Sequence, residues 1–273
     1  MTPLRVMWFV PTPLIVLAQH GQPGAVEGVL NKSSDEQYEA LAQGRCDAVV
    51  TSMDNVFAWN RRGGPDDFRI VAQVERTTPL TLIGSSATTL SALRGAEILV
   101  DAKHNGFVIA LRAMLADQGL ASEHYNLVET GGVKARFDAL MAGAGAATLL
   151  GPPFDGLALQ AGMTLLARVQ DHYPEFPGQG LVMRREAIAR LRPQLLAWFA
   201  ALERAAAAAG PASLDVLVAS GFAPAAAAAM LDNLPAGLRP QPAGIALLIR
   251  QRQQLSLAGA SDTYDQLVDT SLI

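Results

Sequence analysis

One phrase of the sequence occurs twice, ninety-nine residues apart. The segment YEALAQGRCDAVVTSMDNV begins at Tyr38, and FDALMAGAGAATLLGPPFD begins at Phe137. Both contain an aromatic residue, an acid and Ala-Leu, then a glycine and an apolar run that ends in small or turn-forming residues. Each copy is typical of a helix that ends at a glycine and leads into a buried strand. The repeat therefore predicts two lobes of similar construction.

Short apolar runs alternate with segments of helical periodicity along the chain. We expect strands at 5–10, 26–30, 48–51, 70–74, 80–84, 97–101, 125–129, 147–151, 165–169 and 180–184. Most are apolar along their length, which is typical of a parallel sheet covered by helices on both faces. Half of the 273 residues are hydrophobic, so a large core is available. The fold class predicted is α/β.

Composition excludes several classes of protein. A net charge of −4 and a pI near 5.6 argue against a nucleic-acid partner, which normally requires a basic face. The single cysteine, Cys46, cannot form an intramolecular disulfide. No stretch reaches the roughly 20 unbroken apolar residues of a membrane span.

The start of the chain bears on its location. The first predicted strand begins a few residues after Met1, Pro11 and Pro13 interrupt the apolar run, and no A-x-A cleavage site follows. We therefore expect a cytoplasmic protein if this start is native, and a periplasmic one if a leader has been removed.

Residues directly after predicted strands are candidates for a ligand site, because open α/β sheets bind ligands beyond the carboxyl ends of their strands. Several also precede helices, whose N-termini favour anions. We therefore expect these positions to favour an anionic group on the ligand. The candidate ligand-binding residues are Phe9, Pro11, Thr12, Ser33, Ser34, Ser52, Asp54, Asn55, Arg76, Thr77, Lys103, His104, Asn105, Gly106, Gly131, Gly132, Pro153 and Phe154.

Some of these residues have an equally simple structural explanation. Ser33 and Ser34 can cap the helix that follows them. The pair Gly131–Gly132 can serve turn geometry alone. Trp8 and Phe9 alternate on one strand, so only one can face a cleft, and we expect Trp8 in the core.

The loop DAKHNGF carries the richest chemistry. Asp101, Lys103, His104 and Asn105 stand together at a strand-to-helix turn, where Lys103 or His104 can bind a carboxylate or transfer a proton. The alternative is a solvated surface turn. If the chain is an enzyme, His104 and Lys103 are its catalytic candidates.

Other signals of catalysis or cofactor binding are lacking in the sequence. The four histidines show no metal-ligand spacing, and there is no P-loop, dinucleotide fingerprint or G-x-S-x-G motif. We expect no metal and no cofactor.

The order of these segments resembles a known family. YEALAQGRCDAVVTS resembles the L-x-x-G-x-x-D-A segment of substrate-binding proteins of bacterial ABC importers, in the branch of aliphatic sulfonate, nitrate and taurine binders and NMT1/THI5-like proteins. LRGAEILVDAKHNGFVIALRAMLADQGL resembles the opening of their second lobe, and LVETGGVKARFDALMAGAGAATLLGPPFDGLALQAG resembles its second binding loop. LVMRREAIARLRPQLLAWFAALERA and YDQLVDTSLI resemble the return strand with its long helix and the C-terminus.

The resemblance implies a type II periplasmic-binding-protein fold with a ligand cleft between two lobes. It places lobe one at 1–84 plus 180–273 and lobe two at 85–179. The implied function is that of a monomeric binding protein that delivers a small solute to an ABC permease. The alternative is a cytosolic decarboxylase or lyase that acts on an aromatic or heterocyclic carboxylate. The iron-dependent pyrimidine synthases of the superfamily use a cysteine-rich motif, which a chain with only Cys46 cannot supply.

Overall fold

The computed structural model describes residues 2–85 and 89–273. Its strands are β1 (Leu4–Trp8), β2 (Val26–Leu30), β3 (Ala48–Ser52), β4 (Phe68–Gln73), β5 (Thr81–Gly84), β6 (Glu97–Val100), β7 (Asn126–Glu129), β8 (Ala147–Leu150), β9 (Thr164–Arg168) and β10 (Gln179–Arg184). All ten predicted strands are confirmed, each within two residues of its predicted ends.

Helices follow most strands. They are α1 (Pro13–Gly21), α2 (Ser34–Ala42), α3 (Asn55–Trp59), α4 (Gly106–Asp117), α5 (Val133–Met141), α6 (Phe154–Gln160), α7 (Val169–His172), α8 (Arg185–Arg190), α9 (Arg192–Ala207), α10 (Pro211–Ala219), α11 (Pro224–Leu231), α12 (Pro242–Gln254) and α13 (Tyr264–Leu267). Short 3₁₀ helices lie at Leu90–Leu93 and Ser122–His124. No helix in the described ranges is both long and apolar enough to cross a membrane.

The strands form two five-stranded sheets of the same topology. Their orders are β2-β1-β3-β10-β4 and β7-β6-β8-β5-β9. The first three strands of each sheet are parallel, whereas β10 and β5 are antiparallel to both of their neighbours. The sheets are therefore mixed rather than purely parallel, because β5 and β10 each arrive from the other sheet and enter from the opposite end.

The repeated phrase lies at equivalent positions in the two lobes. Its first copy forms α2 and β3, and its second forms α5 and β8. Both helices are followed by a glycine with left-handed backbone, Gly44 at φ 67° and Gly143 at φ 83°, and both bury a leucine, Leu41 or Leu140. The predicted two-lobed α/β architecture is confirmed, and the repeat marks corresponding elements of the lobes.

Two connections join the sheets, at residues 74–80 and 169–178. Strand β5, at the end of the segment predicted for lobe one, hydrogen-bonds to β8 and β9 of the second sheet. The lobe bounds 1–84 plus 180–273 and 85–179 stay a prediction.

Helix α12 of lobe one contacts α4 of lobe two. The side-chain amide of Gln254 donates to the carbonyl oxygen of Ala113 (3.3 Å) and to Oδ1 of Asp117 (2.7 Å), both in α4. The largest apolar cluster runs without interruption from lobe one, through Ile245 and Leu248 of α12, into Val108 and Leu111 of α4. The lobes therefore share one core as well as a cleft.

Candidate ligand-binding site

A cavity of about 200 Å³ lies between the lobes. Its walls come from the loop after β1, the first connection between the sheets, the start of β10, the loops after β6 and β8, the start of α5 and the α10–α11 region. The lining residues are Phe9, Val10, Pro11, Thr12, Glu75, Thr78, Pro79, Leu80, Leu99, Val100, Asp101, Asn105, Phe107, Val108, Leu111, Gly132, Val133, Arg136, Leu149, Gly151, Pro152, Pro153, Phe154, Gln179, Phe222 and Met230.

The walls are predominantly apolar. Four phenylalanines contribute, and they come from different parts of the chain: Phe9 from lobe one, Phe107 and Phe154 from lobe two, and Phe222 from the α10–α11 connection. An apolar enclosure with a few polar groups is typical of sites for small organic molecules, because it gains energy from burying apolar surface while the polar groups set orientation.

Arg136 is the only arginine or lysine among the residues that line this cavity. It lies in the first turn of α5 and is largely buried. Its guanidinium donates to Oγ1 of Thr148 (3.2 Å) and to the carbonyl oxygens of Gly131 (2.7 Å) and Leu149 (3.2 Å). Burial lowers the pKa of Arg136 to about 10, and the negative charge of Asp101 opposes this change. Arg136 therefore remains a fixed positive charge at neutral pH.

Asp101 follows β6 and stands beside this charge. Its Oδ2 accepts a hydrogen bond from the side-chain amide of Asn105 (3.0 Å), whereas its buried Oδ1 has no partner among the described residues. Burial raises the pKa of Asp101, although the positive charge of Arg136 and the nearby hydroxyl of Ser34 in lobe one oppose the rise. Ser34 and Asp101 therefore lie close together across the cleft.

Glu75 is the second carboxyl of the cavity, with 6% of its surface exposed. It lies in the first connection between the sheets. Its Oε2 accepts hydrogen bonds from Oγ1 of Thr78 and from the backbone N–H of Gln179 (3.3 Å). Burial raises the pKa of Glu75, and the hydrogen bonds from Thr78 and Gln179 only partly offset it.

Two helix N-termini border the cavity without a side-chain cap. Thr12 precedes α1, and its buried Oγ1 has no hydrogen-bond partner within the described part of the chain. Gly132 precedes α5, and it has no side chain to cap that helix. The first amide groups of a helix lack partners within the helix, so both ends offer donors to whatever the cavity holds.

The structure brings several predicted ligand-binding residues together around the cavity and places others elsewhere. Those that line it are Phe9, Pro11, Thr12, Asn105, Gly132, Pro153 and Phe154. Trp8 is buried in the core of lobe one, as predicted.

Four other predicted residues form a direct contact between the lobes. Asn55 accepts a hydrogen bond from the backbone N–H of Gly106 (3.0 Å). A Cβ atom on Gly106 would lie 2.2 Å from Oγ of Ser52 and 2.6 Å from Cβ of Asp54. These residues therefore lie where the lobes touch, outside the cavity wall.

Asp54 has a structural partner that the sequence did not indicate. Its Oδ1 accepts from Nε of Arg252 (2.8 Å) in α12, and Oδ2 accepts from the same guanidinium. Both side chains are almost fully buried. The Arg252 guanidinium also lies 4.6 Å from the centre of the Phe57 ring.

The remaining polar candidates have local partners. Oγ of Ser33 caps α2 by accepting from the backbone N–H of Glu36 (3.1 Å). Arg76 is exposed and donates to Oδ1 of Asn233 (3.1 Å). Oγ1 of Thr77 accepts from the side-chain amide of Gln170 (3.0 Å).

The loop between β6 and α4 places Lys103 and His104 away from the cavity, although Asp101 of the same loop lines it. Lys103 and His104 are both exposed, and neither belongs to the cavity wall. The backbone N–H of Lys103 donates to Oε1 of Glu129 (2.9 Å). The residues proposed for proton transfer in the enzyme alternative thus face solvent.

Sequence reasoning missed Glu75, Arg136, Phe107 and Phe222 in the cavity wall. Glu75 directly follows an expected strand, so the rule that selected Arg76 also fits Glu75. Arg136 stands one helical turn after Gly132, and this spacing indicates a side chain near the helix start. Phe222 carries no such signal, because it reaches the cavity only through tertiary packing.

Solved structures with the same arrangement are numerous, although no protein-family model and no curated protein sequence matches this chain. A ligand-binding component of an ABC-type import system from Staphylococcus aureus superposes with a TM-score of 0.84 at 15% identity, over 100% of this chain and 98% of that one. The alkanesulfonate-binding protein SsuA from Xanthomonas axonopodis pv. citri, bound to MOPS, gives 0.73 at 22% identity, over 93% and 90%. A Candida albicans gene product described as having the generic periplasmic-binding-protein fold gives 0.75 at 12% identity, over 97% and 93%. The chain has the periplasmic-binding-protein fold.

The periplasmic-binding-protein fold accounts for the position of the cavity, since ligands of open α/β sheets lie beyond the strand ends and here two such sheets face each other. The Staphylococcus aureus structure contains zinc. Within residues 2–85 and 89–273 of this chain, no three His, Cys, Asp or Glu side chains cluster in a way that could hold a metal ion.

Proposed function

We propose that this protein is a solute-binding protein that encloses a small organic molecule between its lobes and presents it to an importer. The observation that carries the proposal is the cavity, whose walls come from both lobes and from the first connection between them. A solute in this position contacts both lobes at once, so its binding energy can favour the closed arrangement.

The size and polarity of the cavity narrow the solute. A cavity of about 150 Å³ accommodates one benzene molecule, and this one measures about 200 Å³. A single substituted ring or an aliphatic chain of similar size therefore fits. The phenylalanines favour an apolar body.

For the charge of the solute we propose a carboxylate or a sulfonate. The uncapped N-termini of α1 and α5, Oγ1 of Thr12 and the Arg136 guanidinium all favour an anionic group. Burial raises the pKa of Glu75 and of Asp101 and so disfavours their charged forms.

For the biological setting we propose a monomeric binding protein of the bacterial periplasm that partners an ABC permease. Neighbours in structure include an ABC-type import component and sulfonate-binding proteins, which motivates this assignment and the sulfonate, nitrate and taurine branch. The NMT1/THI5-like proteins are the related branch within the same proposal.

Calorimetry on matched pairs tests the proposed ligand class. Benzenesulfonate, benzoate and propanesulfonate are titrated beside neutral partners of similar size, benzyl alcohol, benzamide and butanol. We expect at least one anion to bind, and Thr12→Val to weaken it by about 10- to 100-fold, the effect of one hydrogen bond to a charged group. Thr164→Val is the matched control, because Thr164 lies in β9 outside the cavity wall.

Two results would contradict the proposal. If only the neutral partners bind, the anionic assignment fails while solute binding stands. If none of the compounds binds, or if mass spectrometry recovers a bound compound chemically altered, the binding-protein assignment fails.

A further inference from the structure

We propose that Glu75 determines specificity by hydrogen-bonding a hydroxyl or N–H group on the solute, so that the protein selects anions that carry such a donor on their apolar body. This inference rests on the proposed solute-binding function.

The backbone at Glu75 is held where the two connections between the lobes touch. A Cβ atom on Gly178 would lie 2.3 Å from the carbonyl oxygen of Glu75 and 2.8 Å from its Cβ. On either side, the N–H of Val74 donates to the oxygen of Gln179 (3.0 Å) and the N–H of Gly178 donates to the oxygen of Arg76 (3.1 Å). The Glu75 side chain therefore projects from a rigid segment, as a specificity determinant requires.

The carboxyl group of Glu75 has an unused oxygen. Both hydrogen bonds that it accepts, from Thr78 and from the backbone of Gln179, end on Oε2. Within residues 2–85 and 89–273, Oε1 accepts no hydrogen bond of normal geometry and is not sealed in the protein interior. The side-chain amide of Gln179 also lies near this carboxyl group and favours its charged form. Glu75 and Gln179 both line the cavity, so a solute bound there lies next to the Glu75 side chain.

No cation neutralises this carboxyl group. Among the described residues, no lysine, arginine or histidine forms an ion pair with Glu75. In an apolar enclosure a carboxyl group without full hydrogen bonding is costly, and a ligand that supplies the missing partner recovers that cost. A hydroxyl group suits Oε1 well, because it donates to a carboxylate and accepts from a protonated acid.

Asp101 is a poorer candidate for this role. Its Oδ1 is sealed from open space, its Oδ2 is held by Asn105, and it stands beside the charge of Arg136. Glu75 is thus the cavity carboxyl with an accessible acceptor and without an ion-pair partner in the described part of the chain.

A selectivity measurement tests the proposal. Calorimetry compares meta- and para-hydroxybenzenesulfonate and the corresponding hydroxybenzoates with their methoxy and unsubstituted counterparts. The proteins are the full-length wild type, Glu75→Gln, Glu75→Leu and the control Glu175→Gln. Glu175 lies in the second connection, is exposed and does not line the cavity.

We expect the wild type and Glu175→Gln to prefer a hydroxyl isomer over its methoxy and unsubstituted counterparts by about 10-fold or more. Glu75→Leu should abolish this preference, and Glu75→Gln, which keeps an acceptor oxygen, should retain part of it. Thermal melts of each variant show that the folded protein is being titrated.

The outcomes separate this inference from the proposed function. Binding of the anions with equal affinity for hydroxyl and methoxy forms overturns the role of Glu75 and leaves the proposed function intact. The same holds if Glu75→Leu keeps the wild-type preference. If no anion binds any variant, the proposed function fails and this inference fails with it.

Discussion

The side chain of Asn55 in lobe one accepts a 3.0 Å hydrogen bond from the backbone N–H of Gly106 in lobe two. The amide group of Asn55 is oriented by its own donation to Oγ1 of Thr51 (2.8 Å). Gly106 is the first residue of α4, and its missing side chain lets the helix approach Ser52 and Asp54. The lobes touch directly at this point, beside the cavity.

Gly106→Ala tests this contact. Alanine is favoured over glycine in a helix by up to about 1 kcal/mol, yet here its Cβ would overlap with Ser52 and Asp54. We expect the variant to lose about 1–3 kcal/mol of unfolding free energy, or to hold its lobes apart. Urea unfolding and small-angle X-ray scattering measure the two effects.

The matched control is Gly156→Ala in α6, where the added Cβ meets no other described residue within 4 Å apart from its chain neighbours and the backbone of its own helix. It should be neutral or slightly stabilising, with an unchanged radius of gyration. A Gly106→Ala protein as stable and as compact as the wild type would show that the lobes are not in tight contact.

The buried pair of Asp54 and Arg252 gives a second prediction. Arg252→Met leaves the Asp54 carboxylate buried without its cation, and we expect a loss of about 3–5 kcal/mol in the free energy of unfolding. Adding Asp54→Asn should recover part of that loss. The exposed pair of Lys134 and Asp138 in α5 is the control, because breaking it by Lys134→Met should cost only about 0.3–0.5 kcal/mol. Urea unfolding measures these losses. Equal losses for Arg252→Met and Lys134→Met would show that Asp54 and Arg252 do not form a buried ion pair.

Much of the fold could be predicted because its signals are local. Apolar runs of strand length, glycines such as Gly44 and Gly143 that end helices, and the repeated phrase all act within a few neighbouring residues. The antiparallel entry of β5 and β10 could not be seen in this way. It depends on the chain crossing between lobes, which is a long-range property.

The site was predictable only in part for the same reason. Phe9, Thr12 and Phe154 follow strands and line the cavity, as the rule of strand ends requires. Asp54 also follows a strand, but its partner Arg252 lies 198 residues away along the chain. Phe222 approaches the cavity from the α10–α11 connection, so no periodicity in its own neighbourhood marks it.

The raised pKa of Glu75 predicts a pH dependence of stability. The folded protein retains the Glu75 proton to higher pH than the unfolded chain, whose carboxyl has an ordinary pKa near 4.5. Between the two pKa values the folded state therefore binds more protons than the unfolded chain. The contribution of Glu75 to the free energy of unfolding is fully present below the pKa of the unfolded chain, and it falls as pH rises through the folded pKa. Stability should therefore decline with pH more in the wild type than in Glu75→Gln.

Urea unfolding of both proteins from about pH 4 to about pH 8 measures the effect. Asp101, whose pKa is also raised, and Asp269, whose pKa is lowered, titrate in both proteins, so the difference between the two curves isolates Glu75. If the free energy of unfolding of the wild type minus that of Glu75→Gln is flat or rises with pH, then burial does not disfavour the charged form of Glu75.

Cys46 provides a test of the folded core of lobe one that needs no ligand. Burial and the neighbouring charge of Asp47 raise the pKa of its thiol to about 12, and only 5% of the residue is exposed. Since the thiolate is the reactive form, iodoacetamide at about pH 8 should alkylate the folded protein on the order of 1,000-fold more slowly than the unfolded chain, whose thiol has a pKa near 8.5. Ser220→Cys supplies an exposed thiol at the end of α10 for comparison. Mass spectrometry should find one label on the folded Ser220→Cys protein and two labels on the same protein in denaturant. Equal labelling rates for both thiols in the folded protein would place Cys46 at the surface and contradict the packing of β3 against α2.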